Sequence, residues 1–273
     1  MAAARTLMAV HAHTDDEVIS TGGMLARYAD EGVHTIVVTC TDGSQGYGPG
    51  GVMPGEPGHD RRSIAETRRV ELRRSCEILG VAHLEMLGYL DSGMAGWAGN
   101  QEPGAFCNVA VDEAAARVAE LIQRYQPQVV VTYDHDSGGY GHPDHVQAHR
   151  VTVAAFDRVP LASKLYFTAR GQAQAARMRE LREQLGMPPR PGRPPRATPA
   201  GLSEDTITTV IDTRMALERK RAALEAHASQ LADSFWVKLS DEDFAELFGE
   251  EAFVRARDES GAPLPESDLF AGV

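Results

Sequence analysis

No stretch of this sequence comes near the roughly 18 to 20 apolar residues that a membrane-spanning helix needs. The opening apolar run, Leu7 to Val10, is interrupted at once by His11, too short and too soon for a signal-peptide core, and a cytoplasmic location is expected. Cysteine is scarce. Cys40, Cys76 and Cys107 lie far apart, and their odd number argues against a disulfide framework and for reduced thiols in or near the core. Positive charge is in deficit, with 27 Lys and Arg against 39 Asp and Glu and a formal charge of −12. A nucleic-acid backbone, whose phosphates require clustered cations, is therefore not an expected partner. The arginine pairs Arg61-Arg62, Arg68-Arg69 and Arg73-Arg74 alternate with Glu66, Glu71 and Glu77 in a helical pattern and read as a salt-bridged surface.

What is present is an ordinary globular composition, 42% hydrophobic and 24% charged over 273 residues, enough to bury a sizeable core. Thr6 to Ala12 is a short apolar run, Ser20 to Asp30 reads as a helix with Gly32 just past its end, and His34 to Thr41 is a second, β-branched run. A glycine- and proline-rich loop, Asp42 to Asp60, precedes a helix from about Ser63 to Leu79, with a Ser63/Glu66 capping box and a stop at Gly80. Asp112 to Tyr125 is amphipathic and ends before Pro127; Gln128 to Tyr133 is a Val-rich strand of the kind buried on both faces. Strands alternating with helices predict an α/β, Rossmann-like fold, a mostly parallel sheet with helices on both faces. Residues 1–186 form the expected core. The proline-rich stretch, 187–200, is a surface loop. Residues 201–273 supply a C-terminal elaboration of the same domain: a strand from Thr206 to Ile211, a helix from about Arg214 to Ala228, and an acidic, aromatic tail.

Two clusters carry ligand-type side chains: His11-Ala-His13-Thr-Asp15-Asp16-Glu17 after the first strand, and His142-Pro-Asp144-His145 after the Val-rich one. In parallel α/β sheets chemistry sits beyond the carboxyl ends of the strands. Imidazole and carboxylate suit zinc, and the same set accepts ferrous iron; three protein ligands leave a position open for water. His13, Asp16 and His145 are the expected ligands. A cation there makes water an effective nucleophile near neutral pH. Asp15 is placed to take a proton from that water and His142 to give one to a departing nitrogen, as amide hydrolysis requires. A lone histidine is more often structural, and Asp-Asp-Glu at a helix start is often only favourable charge at the dipole's positive end. Two such clusters at two inner strand ends weigh against that, because a buried crowd of carboxylates needs a cation.

His13-Thr-Asp15-Asp16-Glu17 and Gly141-His142-Pro-Asp144-His145 resemble the paired motifs of the PIG-L/LmbE-type N-acetylglucosamine deacetylase family, over most of the chain. Leu90 to Gly96, Gly138 to Gly141 and Asp268 to Gly272 look like its mycothiol-pathway deacetylases. Met8 to His13 and Ala26 to Gly32 look equally like the sister mycothiol S-conjugate amidases. The resemblance implies the same ligands, base and acid. It further implies that Tyr140 polarises the carbonyl or holds the oxyanion, that Asp144 orients His142, and that Arg68 and Asp91 bind sugar or inositol hydroxyls. From the residues alone, Arg68 reads equally as a structural ion pair and Asp91 equally as a turn aspartate, while an aromatic packed on the sheet edge is the lesser alternative for Tyr140. Thr14 stands where the family has proline.

A dinucleotide enzyme is disfavoured, since Asp15, Asp16 and Glu17 occupy the first strand-to-helix turn where a pyrophosphate would sit. Gly43 to Gly51 is glycine-rich but has the wrong spacing, and reads as a loop near the site. No Gly-x-Ser-x-Gly elbow marks a serine hydrolase. A non-catalytic protein that binds an amino-sugar conjugate at a metal remains the rival outside enzymology, and retention of Asp15 and His142 speaks against it. The expected partner is a small amino-sugar conjugate, and a homo-oligomer is compatible with the pattern.

Overall fold

The computed structural model describes residues 4–135, 141–187 and 201–273. Most of the proline-rich stretch and Tyr140 lie outside the described residues. Five parallel strands, β1 (Thr6–His11), β2 (His34–Thr41), β3 (His83–Tyr89), β4 (Val129–Tyr133) and β5 (Lys164–Ala169), lie in the order β3-β2-β1-β4-β5. The Rossmann-like expectation holds. The chain winds outward from β1 through β2 to β3, then returns to β1's other side for β4 and β5, so β1 and β4 flank the point where the order reverses. Crevices at such switch points are where α/β sheets bind ligands.

Both faces of the sheet are covered, which explains why β1 and β4 read as unbroken apolar runs. Leu7, Ala9, Val37, Val129 and Val131 point into one core, beneath the helices α1 (Asp16–Asp30) and α2 (Arg61–Leu79). Met8, Val10, Ile36 and Val38 point into the other, beneath α3 (Val111–Tyr125) and α4 (Pro143–Arg158). Cys40 and Cys76 are buried free thiols and Cys107 is half-buried, as expected of reduced cysteines. Among the described residues no helix is long and apolar enough to cross a membrane.

Two boundaries differ from expectation for local reasons. The first helix begins at Asp16, not Ser20, because Asp16 and Glu17 occupy its first turn, where the exposed amide dipoles favour carboxylates. The second begins at Arg61 and is capped by Asp60, whose carboxylate accepts from the backbone N–H groups of Arg62 and Ser63 at 3.1 and 3.4 Å. The Ser63/Glu66 spacing matched a capping box without being one. Asp60→Ala should therefore cost about 1 kcal/mol and lower Tm by about 2–4 °C, whereas Ser63→Ala should leave Tm unchanged; thermal unfolding of the two variants checks the assignment.

The C-terminal region departs further. After α5 (Gln172–Gln184), the strand expected at Thr206 to Ile211 forms as β6 (Thr209–Asp212). The expected helix forms as α6 (Leu217–Ala226), followed by the short helices α7 (Ala228–Leu231), α8 (Phe235–Lys238) and α9 (Asp241–Phe248). What read as an acidic tail also contains β7 (Glu250–Asp258), a nine-residue strand antiparallel to β5 on one side and to β6 on the other. Its charges hid it. Glu251 is buried against Lys220 at 2.6 Å, and Arg255 reaches Glu266, which in turn holds the buried Lys164 at 2.5 Å. The elaboration thus closes one edge of the same sheet.

Candidate active site

The carboxyl end of β1 runs straight into the first cluster. His11, its last residue, is fully buried, its Nε2 3.0 Å from Thr21 Oγ1, and burial lowers its pKa to about 4; it belongs to neither group of close-set donors found among the described residues. His13 and Asp16 turn inward above the sheet, and Asp16 Oδ2 accepts from the His13 backbone N–H at 2.8 Å. From the switch point's other side α4 supplies His145, whose ring stacks on Tyr133 at 4.3 Å between centroids. Tyr133, the last residue of β4, donates its hydroxyl to Asp16 Oδ2 at 2.8 Å. Sequence reasoning gave Tyr133 no role; its signal was a hydroxyl-bearing ring at the end of an inner Val-rich strand.

The three expected ligands converge. His13 Nδ1, Asp16 Oδ2 and His145 Nε2 form a triangle with every side 3.3 Å. Donors bound tetrahedrally to a zinc-sized ion at 2.0–2.1 Å stand about 3.3–3.4 Å apart, so the triangle fits such an ion. The other ring nitrogen of His13 faces carboxylates, Asp144 Oδ2 at 3.2 Å and Asp91 Oδ1 at 3.5 Å. That is how ligating imidazoles are usually oriented. Electrostatics agree: burial alone would lower the His13 pKa, yet Asp91, Asp144 and Asp16 hold it well above its ordinary value. The cluster calls for positive charge.

A second set of donors, His13, His142 and His145, also lies close together, within 4.8 Å. In it His142 Nδ1 already accepts the Asp144 backbone N–H at 3.2 Å, which leaves the proton on Nε2 as a donor. Burial, then the charges of His13 and His145, hold the His142 pKa well below the ordinary range. Asp144 was expected to orient His142. Here its carboxylate faces His13 and accepts from the Ser92 N–H at 2.9 Å, and what Asp144 gives His142 is its backbone N–H. The helix-start geometry of α4, with His142 as the capping residue, produces this exchange.

Asp15 sits just before α1 with φ 107° and ψ −24°, a backbone region that costs a non-glycine residue on the order of 1–3 kcal/mol. Its carboxyl group lies 3.3 Å from Arg68 Nη2, and burial pushes its pKa up to about 6 against the pull of that guanidinium. Arg68 is the exception among the helix arginines. It is buried, donates to the Gly43 and Thr14 carbonyls at 2.6 Å each, and stands 3.9 Å from Asp91. Gly43 and Gly46 close over it so tightly that a Cβ at either would lie 2.8 Å from Nη1, which accounts for glycine at those two positions. Asp91 accepts the Gly93 and Gln45 N–H groups at 2.8 and 3.3 Å, so it shapes a turn and faces the centre at once. Beside it, Gln45, Met53, Pro54, His59, Arg61 and Trp97 help line a cleft of ≈600 Å³.

A metal-assisted hydrolase is the class that accounts for this cluster at the switch point. Residues 8–156 match the family described as GlcNAc-PI de-N-acetylase, PIG-L. The chain is 44% identical over 245 residues to the 1D-myo-inositol 2-acetamido-2-deoxy-alpha-D-glucopyranoside deacetylase of Thermobifida fusca, covering 84% of each. To the protein of that name in Acidothermus cellulolyticus it is 40% identical over 282 residues, 98% of this chain and 95% of the other. The chain belongs to the PIG-L family, and it is a hydrolase of that metal-dependent group. Among solved structures it resembles N,N'-diacetylchitobiose deacetylase from Pyrococcus horikoshii, with TM-score 0.64, 19% identity, and 93% of this chain and 85% of that one covered. It also resembles the 4-carboxy-2-hydroxymuconate hydratase of Pseudomonas putida, with TM-score 0.61, 18% identity, and 95% and 99% covered. Those two likenesses concern the fold, and a hydratase among them shows that the fold alone does not fix the reaction.

Proposed function

We propose that this enzyme removes the N-acetyl group from a glucosamine joined to inositol, with His13, Asp16 and His145 holding a zinc ion. The observation that carries the reading is the 3.3 Å donor triangle with Asp15 at its rim, its charge steadied by Arg68. The bound cation would supply a Lewis acid that makes water nucleophilic near pH 7 and polarises the amide carbonyl. Asp15 takes the proton of the attacking water. His142 is the acid for the departing amine: the proton that Asp15 takes from water passes to the ring, which hands one on from Nε2, so the imidazole is neutral before and after. Tyr140 is assigned to the oxyanion by the family motif. Asp144 keeps the His13 ring in register, and Arg68 and Asp91 border the sugar hydroxyls while fixing Asp15 and the adjoining turn.

Ferrous iron fits the same donors, so metal identity is part of the proposal. Residues 1–186 and 201–273 are taken as one catalytic domain, and a cytoplasmic enzyme of a small-molecule pathway is the setting. The sister activity, cleavage of a cysteinyl-glucosamine amide, gives the comparison for the test. Purified enzyme is offered N-acetylglucosaminyl inositol and an S-conjugated N-acetylcysteinyl-glucosaminyl inositol side by side. Released acetate at a kcat/KM at least about tenfold above the rate of N-acetylcysteine-conjugate release is expected, a difference of about 1.4 kcal/mol in transition-state binding. The opposite ranking would make the chain an amidase.

A further inference from the structure

Glu17 is the one charged residue of the first cluster that neither the triangle nor proton transfer uses. It is fully buried. Its Oε2 accepts the backbone N–H of Asp15 at 2.9 Å, and its Oε1 accepts the Ser75 hydroxyl at 2.6 Å. The third partner comes from far along the chain: His227, where α6 ends, lies with Nε2 2.7 Å from the same Oε1 and is itself fully buried. Glu17 is therefore clamped from α2 and from the C-terminal region, and its free oxygen is left pointing at one backbone amide.

That amide belongs to the residue with the least comfortable backbone near the site. Asp15 adopts φ 107°, and a conformation of that kind persists only where its surroundings over-determine it. Arg68 holds the carboxyl end of Asp15; Glu17 holds the backbone end. Without a fixed Glu17, the segment between His13 and Asp16 could relax to negative φ and swing the carboxyl group away from the water it deprotonates. We propose that His227 is a positioning residue for the catalytic base, acting through Glu17 to hold the Asp15 backbone in its active conformation. The C-terminal region thereby takes part in catalysis without touching substrate. This rests on Asp15 being the base, and the test separates the two claims.

His227→Phe keeps the ring volume and deletes the donor; His227→Gln restores an N–H at similar reach. Both are made in the parent and in Asp15→Asn enzyme, with kcat, KM, bound metal and Tm measured. In the parent, His227→Phe should lower kcat about 10- to 100-fold, the cost of a base displaced by about 1 Å, with KM within about twofold and metal content unchanged. His227→Gln should recover most of the loss. In the Asp15→Asn background His227→Phe should change kcat less than about twofold, since a group that acts only through Asp15 has nothing left to position. An equal kcat loss in both backgrounds, or a lowered Tm with kcat intact, would reduce the Glu17–His227 pair to packing and overturn the proposal alone. Wild-type kcat in Asp15→Asn would overturn the base assignment and this inference with it. Should His227→Phe not fold, Ser75→Ala loosens Glu17 from the other side; a kcat loss of several-fold that vanishes with Asp15→Asn supports the clamp, and one that persists refutes it.

Discussion

Asp15→Asn should lower kcat by about 10³-fold or more while zinc stays bound and KM changes little. General acid–base groups contribute about 10²–10⁴ in rate, and Asp15 stands where its removal should cost toward the upper end. Asparagine has nearly the shape of aspartate and can still accept from Arg68, so the strained turn and the glycine loop over the guanidinium should survive. What it lacks is a site for the proton. The donor triangle excludes Asp15, hence the expectation of undiminished metal. The measurement is steady-state acetate release alongside elemental analysis of the same preparation. A kcat within about threefold of wild type would move the base elsewhere; loss of metal would mean that Asp15 is a ligand.

Stripping the metal should abolish turnover altogether. With the ion gone, Asp16, Asp91 and Asp144 crowd His13 within 3.5 Å, and the imidazole must carry the positive charge the cluster calls for. Dialysis against chelator is expected to lower activity more than about 10³-fold, and stoichiometric Zn²⁺ to restore it, with Fe²⁺ under anaerobic conditions as the comparison. Stability gives an independent readout. A ligand that binds only the folded chain stabilises it by about 4 kcal/mol at a thousandfold excess over Kd, so the apo protein should melt several degrees lower. Full activity in a preparation shown to be free of metal would sink the mechanism.

Much of the site was legible because its signals are local and fall at strand ends. His13, Asp16 and His145 needed only the recognition that both clusters follow inner parallel strands, after which the switch point brings them together. The charge partnerships were not legible. The carboxylate of Asp144 meets His13 and Ser92, 131 and 52 residues away along the chain, and no local pattern announces either contact. His227 is a solitary histidine at the end of the expected C-terminal helix, and nothing in its neighbours points to a glutamate 210 residues earlier. The fold shows the same division. β1, β2 and β4 are buried on both faces and announce themselves as apolar runs, whereas β7 carries Glu250, Glu251, Arg255, Arg257 and Asp258 and becomes a strand only because Lys220 and Glu266 neutralise its inward charges.

The place of β7 in the sheet also sets an order of events during synthesis. It pairs with both β5 and β6, and β6 touches the sheet through β7 alone. β5 therefore emerges from the ribosome with one edge bare, and its partner follows about 80 residues later, roughly 4 to 16 s at ordinary elongation rates. For that interval the growing chain presents the unpaired backbone that templates strand addition between molecules. A pause or premature stop after β6 would leave a nascent protein with its catalytic side chains already translated and an adhesive flank that cannot yet be sealed.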